Sequence, residues 1–148
     1  MSSETYDLQV LQNNMLRVIH GLRISNCVNM VDLRTKIKMM SVNQISIYHT
    51  IMEVFNIIHN KSSEQISNKY SHHERHSLRK NTNNYLRVPE KHGHRKCTYC
   101  GAKVFNSLPI KTRETQDRNI FKTLVKKWIW DEVTPYWKHS LHQNLYIL

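Results

Sequence analysis

The sequence contains few of the residues that break helices and form tight turns, with three glycines and three prolines in 148 residues. A fold of many short strands needs such turns, so this scarcity favours helices. Cysteine is also scarce, and an odd count of three without dense spacing argues against a disulfide scaffold. It indicates a reducing compartment.

Long apolar runs are missing as well. No stretch approaches the roughly 20 residues of a membrane span. Residues 1–10 have neither a basic start nor an apolar core of signal-peptide length. We therefore expect an intracellular protein, in the nucleus or the cytoplasm, that does not insert into membranes.

Acidic residues are few: 11 Asp and Glu stand against 22 Lys and Arg, which gives a formal net charge of +11. Catalysis by a pair of metal ions needs neighbouring carboxylates. The four Asp residues are far apart, and the one adjacent acidic pair, Asp131 and Glu132, falls at a predicted helix end. The sequence thus predicts no enzyme and no cofactor. Its positive charge predicts attraction to polyanions through phosphate contacts and counterion release.

What is present is helical periodicity. Residues 5–20 predict a helix that ends before Gly21 and packs through its apolar positions. Those positions are Leu8, Leu11, Met15, Val18 and Ile19. A shorter helical stretch follows within residues 26–40.

Residues 41–59 have the clearest helical pattern. Ser41 and Gln44 fit a capping box, in which each side chain bonds the other residue's amide. The apolar stripe is wide enough to be core, and we do not interpret it as a cofactor site. It comprises Ile45, Tyr48, Met52, Phe55 and Ile58, widened by Ile47, Ile51 and Val54.

Residues 101–130 predict an apolar segment, an interruption at Leu108-Pro109 and a final helix that Asp117 caps. The apolar face of that helix comprises Ile120, Phe121, Leu124, Val125, Trp128 and Ile129. The expected fold class is mainly α: a small domain of three or four helices with a long basic irregular loop and a C-terminal amphipathic helix.

Two stretches carry a pattern beyond periodicity. The first is LQNNMLRVIHGL, followed after a gap by LRTKIKMMSVNQISIYHTIMEVFNIIHN; the second is GAKVFNSLP, followed after a polar spacer by FKTLVKKW. Their order and separation resemble the C-terminal, post-palm region of reverse transcriptases encoded by non-LTR retrotransposons of the jockey and chicken-repeat-like lineages. Phe105 stands where those proteins usually have Trp, and residues 62–66 depart from their usual sequence.

The resemblance spans residues 8–130 and implies a non-catalytic fragment. The polymerase palm with its paired aspartates is not in this sequence, whereas the thumb-like region that helps to hold template and primer is represented. It divides the chain into a helical region (1–70), a basic His-rich loop (71–100), the GAK and NSLP segment (101–130) and a tail of unassigned role (131–148).

Binding to RNA or DNA is expected to be non-specific and to use phosphate contacts. Residues 60–103 contribute ten Lys and Arg against three Glu, together with five of the ten histidines. The predicted nucleic-acid contacts are Arg17, Arg23, Arg75, Arg79, Lys80, Arg87, Lys91, Arg95, Lys96 and Lys103.

Two alternatives remain open. An adopted or non-functional remnant would act as a protein-interaction module and self-associate or bind partners through apolar surface at Met39, Met40 and Trp130. A zinc module would use Cys97 and Cys100 in a CxxC motif, completed by two histidines at helical spacing, His72 and His76. A single CxxC is a weak zinc signal, so the prediction for metal is none.

Overall fold

A computed structural model of the chain describes residues 3–23, 27–59, 85, 86, 88 and 97–133. These residues form six helices and no strand: α1 (Ser3–Ile19), α2 (Met30–Lys36), α3 (Val42–His59), α4 (Cys97–Asn106), α5 (Ile110–Arg113) and α6 (Arg118–Trp128). A π-helical turn, Ile129–Val133, continues α6. The predicted mainly α fold class is confirmed. Within these residues no helix has the length and apolar character needed to cross a membrane.

The core is built around α3, which contacts α1, α4, α6 and the π-helical turn. Three aromatic rings occupy its centre: the centroids of Phe55 and Phe121 are 4.1 Å apart in a stacked pair, and Phe105 lies 6.2 Å from Phe121. Such ring pairs stabilise a core beyond their buried area. The stripe of α3 is core, as predicted, except that Ile45 is 39% exposed.

The helix starts follow the local capping chemistry that the sequence predicts. Ser41 Oγ accepts from the Gln44 amide at 3.3 Å, and Gln44 Oε1 accepts from the Ser41 amide at 2.8 Å. Asp117 Oδ1 accepts from the amides of Asn119 and Ile120 at 2.8 and 2.9 Å. Each contact satisfies amides that a helix start leaves unpaired, so both predicted caps are confirmed.

The end of α1 is also confirmed. Gly21 adopts a φ of 61°, a left-handed conformation that glycine tolerates at little cost. The Leu22 amide donates to the Arg17 carbonyl at 2.8 Å and the Gly21 amide to the Val18 carbonyl at 3.1 Å. This pair of bonds is the Schellman motif that terminates helices.

Around the predicted interruption, α4 ends at Asn106 and Pro109 precedes the single turn of α5. The link between Pro109 and Asp117, predicted only as polar, therefore contains one helical turn. Phe121 and Val125 on α6 and Ile129 at the start of the π-helical turn are fully buried, whereas Ile120 is 56% exposed and lies outside the packed face.

The prediction for α1 is wrong about which side packs. Leu8, Leu11, Met15, Val18 and Ile19 are exposed, and Leu16 is the buried residue of this helix. Hydrogen bonds from the polar side of α1 explain the reversal, because they join it to the α2–α3 junction.

Three polar side chains of α1 make these bonds. Gln9 Oε1 accepts from the Val42 amide at 3.0 Å and Gln12 Nε2 donates to the Met40 carbonyl at 2.9 Å. Asn13 Oδ1 accepts from the Arg34 guanidinium. The Val42 amide is one of the donors that the start of α3 leaves unpaired, so α1 completes the cap of α3.

Lys38 follows α2 with a φ of 54°, a conformation disfavoured for residues with a Cβ. We expect Lys38→Gly to raise the free energy of unfolding by about 0.5 to 1 kcal/mol, because strain relief exceeds the added chain entropy of glycine. Thermal unfolding followed by circular dichroism measures the change. Lys36→Gly, at the last residue of α2, is the control and should lower stability by less than about 1 kcal/mol; a loss of stability in both variants would contradict the prediction.

Candidate nucleic-acid interface

A groove of about 430 Å³ lies between α3 and α6. From α3 it is lined by Tyr48, His49, Met52, Glu53 and Asn56, and from α6 by Arg118, Asn119 and Lys122. The two helices pack through Phe55 and Phe121, so the residues beside these rings form the groove walls. The α6 wall carries two cations.

Arg118 and Lys122 belong to a basic row on α6, which we define as Arg118, Lys122 and Lys126. The three residues recur every fourth position, so they share one side of the helix with a rise of about 6 Å between neighbours. All three are exposed. The row therefore presents three cations along the groove and its continuation.

Tyr48, on the α3 wall of the groove, lies close to the basic row. The Lys126 ammonium lies 5.8 Å from the centroid of the Tyr48 ring, within cation–π range, and the His49 ring meets Tyr48 edge-on at 5.5 Å. Burial raises the pKa of Tyr48 above its ordinary value, and the charge of Arg118 offsets part of that rise. Tyr48 is therefore a neutral phenol at physiological pH, with a ring and a hydroxyl group beside three cations.

Two further polar groups line the groove. Glu53 is exposed and places one negative charge on the α3 wall. Asn56 Oδ1 is buried and has no hydrogen-bond partner among the described residues. The groove thus combines two cations on the α6 wall with one carboxylate on the α3 wall, and the Asn56 oxygen is buried within the α3 wall.

Of the residues predicted to contact nucleic acid, the structure describes Arg17, Arg23 and Lys103, and none of these lines the groove. Arg23 and Lys103 are exposed, whereas Arg17 is half-buried and its guanidinium donates to the Arg23 carbonyl at 3.4 Å. The other predicted contacts lie outside the described residues: Arg75, Arg79, Lys80, Arg87, Lys91, Arg95 and Lys96.

The basic row was not among the predicted nucleic-acid contacts. The sequence does contain a pattern that could have identified it, since the cations at 118, 122 and 126 have the four-residue spacing of one helix face. The sequence gives no sign that Tyr48, 70 positions before Arg118, lies beside that face. Only the packing of α3 against α6 brings them together.

A second polar assembly joins residues 85–86 to α4 and α5. Asn106 Oδ1 accepts from the Leu86 amide at 2.9 Å, and Asn106 Nδ2 donates to the Leu86 carbonyl at 2.8 Å. Arg113 is 4% exposed; its Nε donates to the Leu108 carbonyl at 3.0 Å and its guanidinium lies 3.9 Å from the centroid of Tyr85. These contacts are structural, because both Leu86 and Arg113 are buried.

The residues predicted for a protein-interaction surface and for a zinc site are placed less favourably than predicted. Met39 is 37% exposed, while Met40 and Trp130 are half-buried. Cys97 and Cys100 lie in the first turn of α4, and His72 and His76 fall outside the described residues. Among the residues with assigned positions, no three metal-ligating side chains come together.

Comparisons with protein-family models, with curated proteins and with solved structures find no match to this chain. The resemblance to non-LTR reverse transcriptases remains a prediction from the two sequence stretches.

Proposed function

We propose that this chain is a non-catalytic nucleic-acid-binding segment, of the kind that follows the palm in non-LTR retrotransposon reverse transcriptases. The proposed site is the groove between α3 and α6. The observation that carries it is the placement of the basic row beside the Tyr48 ring.

The basic row and the Tyr48 ring would each have a defined part in binding. Arg118 can bind a phosphate through two parallel hydrogen bonds, and the ammonium groups of Lys122 and Lys126 can pair with neighbouring phosphates. Tyr48 offers a partly exposed ring against which an unpaired base can pack, an interaction that tolerates any base. This combination supports backbone binding without sequence preference.

The excess positive charge of the chain supports the same proposal. A net charge of +11 draws polyanions toward the surface, and the basic row would hold them at one place on it. Such binding weakens as salt increases, because each phosphate contact releases counterions. The proposal concerns RNA or single-stranded DNA, whose bases are free to pack on Tyr48.

The test replaces the basic row by alanine in a triple variant, Arg118→Ala/Lys122→Ala/Lys126→Ala. We expect affinity for a single-stranded oligonucleotide of mixed sequence to fall about 100-fold at low salt. The slope of log affinity against log salt should decrease by about 2, or about 0.7 per lost phosphate contact. Fluorescence anisotropy over a salt series measures both quantities.

The matched control removes three exposed lysines that do not line the groove, Lys36, Lys111 and Lys127. It changes the net charge equally, so general attraction falls by the same amount while the basic row stays intact. We expect its affinity to fall less than tenfold. Equal losses in the two variants would reject the groove as the site, and no binding by the parent chain at low salt would reject the function.

A further inference from the structure

The apolar side of α1 is exposed along its length. Leu8, Leu11, Met15 and Val18 are 54%, 56%, 58% and 79% exposed, and they occur at spacings of three and four residues. We call these four residues the α1 stripe. Single exposed apolar residues are ordinary, but a continuous stripe on one helix side marks an interaction surface.

The spacing of the α1 stripe is that of a two-helix seam. Residues 8, 11, 15 and 18 occupy the alternating positions of a seven-residue repeat, which places them where a second helix packs. The polar side of the same helix already packs within the chain, because Gln9 and Gln12 bond the α2–α3 junction and Asn13 bonds Arg34 of α2. A partner helix therefore meets α1 on the stripe.

The stripe is symmetric about residue 13. When a second α1 runs antiparallel with its centre at this residue, Leu8 faces Val18 and Leu11 faces Met15, and each contact occurs twice. A two-fold interface requires this self-complementarity, since the same surface must fit itself.

The charges of α1 favour the same orientation. Glu4 and Asp7 are at its start, whereas His20 and Arg23 follow its end. With the centre at residue 13, antiparallel pairing places Glu4 of one copy opposite Leu22 of the other, next to Arg23, and it also sets the two helix dipoles in opposite directions. Parallel pairing would put acids beside acids.

We propose that the α1 stripe is a homodimer interface in which α1 pairs antiparallel with α1 of a second copy of this chain. The inference is independent of the nucleic-acid proposal, because no stripe residue lines the groove. The dimer has two basic rows, and a strand long enough to reach both gains avidity.

The first test measures mass in solution without nucleic acid, by sedimentation equilibrium of the full chain over a concentration series. We expect twice the monomer mass of 17.7 kDa for the parent and the monomer mass for Leu11→Glu/Met15→Glu, which places four acids at the seam centre. The control, Ile110→Glu/Ile120→Glu, alters residues that are 54% and 56% exposed on other helices and should stay dimeric.

Three outcomes of this experiment would overturn the proposal: a monomeric parent, a dimer that persists in the Leu11→Glu/Met15→Glu variant, or a parent assembly larger than a dimer. The Leu11→Glu/Met15→Glu variant also identifies the alternative in which another segment of the same chain covers the α1 stripe. In that case the parent is monomeric and the substitution lowers its melting temperature.

A second test fixes the orientation by disulfide trapping in a chain with Cys27, Cys97 and Cys100 replaced by serine. Copies carrying Leu11→Cys are mixed with copies carrying Met15→Cys and oxidised. Antiparallel pairing predicts mainly the mixed disulfide between the two variants. Disulfides mainly between identical copies would indicate parallel pairing and refute the proposed arrangement.

Discussion

Phe121→Ala is expected to remove a large part of the stability of this domain. The Phe121 side chain has no exposed surface, and its ring stacks on Phe55 at 4.1 Å with Phe105 at 6.2 Å. Truncating such a residue costs about 3–5 kcal/mol, through lost burial and the cavity left behind. Domains of this size have only about 5–15 kcal/mol in total.

Urea denaturation followed by circular dichroism measures this loss. We expect the midpoint to fall with little change in the slope, because the variant weakens the folded state without altering the surface exposed on unfolding. The control is the adjacent substitution Ile120→Ala, whose side chain is 56% exposed and which should cost less than about 1 kcal/mol. Similar losses in the two variants would mean that the aromatic cluster is not the centre of the core.

Asn106→Ala is expected to have a similarly large effect, about 2–6 kcal/mol. The Asn106 amide group bonds both the amide and the carbonyl of Leu86, and Leu86 is 1% exposed. Its loss leaves two buried backbone groups without partners, each at a cost of about 1–3 kcal/mol. Residues 85–86 should then separate from α4, which exposes Arg113 and the core beneath Leu86.

Hydrogen exchange at the Leu86 amide, together with urea denaturation, measures this effect. Asn14→Ala, at an exposed asparagine of α1, is the control and should change stability by less than about 0.5 kcal/mol. Unchanged protection of the Leu86 amide in Asn106→Ala would show that this hydrogen-bond pair does not hold the segment.

Much of the local structure could be predicted from the sequence because its causes lie within a few residues. The side chains of Ser41 and Gln44 each accept from the other residue's amide, and the Asp117 side chain accepts from the amides of Asn119 and Ile120. Gly21 supplies the left-handed turn after α1. Each contact depends on residue type and spacing alone.

The buried side of α1 could not be predicted in the same way. Periodicity shows that a helix has an apolar side, but it does not show what that side meets. Here the bonds of Gln9 to Val42 and of Gln12 to Met40 join residues about 30 positions apart. They turn the polar side inward, where no local pattern would have placed it.

In the candidate site, too, the sequence predicts the local features but not the contact between the two helices. The four-residue spacing of the basic row predicts that its cations share one helix face, and the periodicity around Tyr48 predicts a helix there. Neither stretch indicates that the two lie side by side. By itself the sequence determined the helical class, the helix ends and the excess of positive charge, since these follow from composition and from hydrogen bonds between near neighbours. Only the tertiary structure decided that α1 faces outward with its apolar side and that the Tyr48 ring lies among the cations of α6, because both depend on packing between segments distant in the chain.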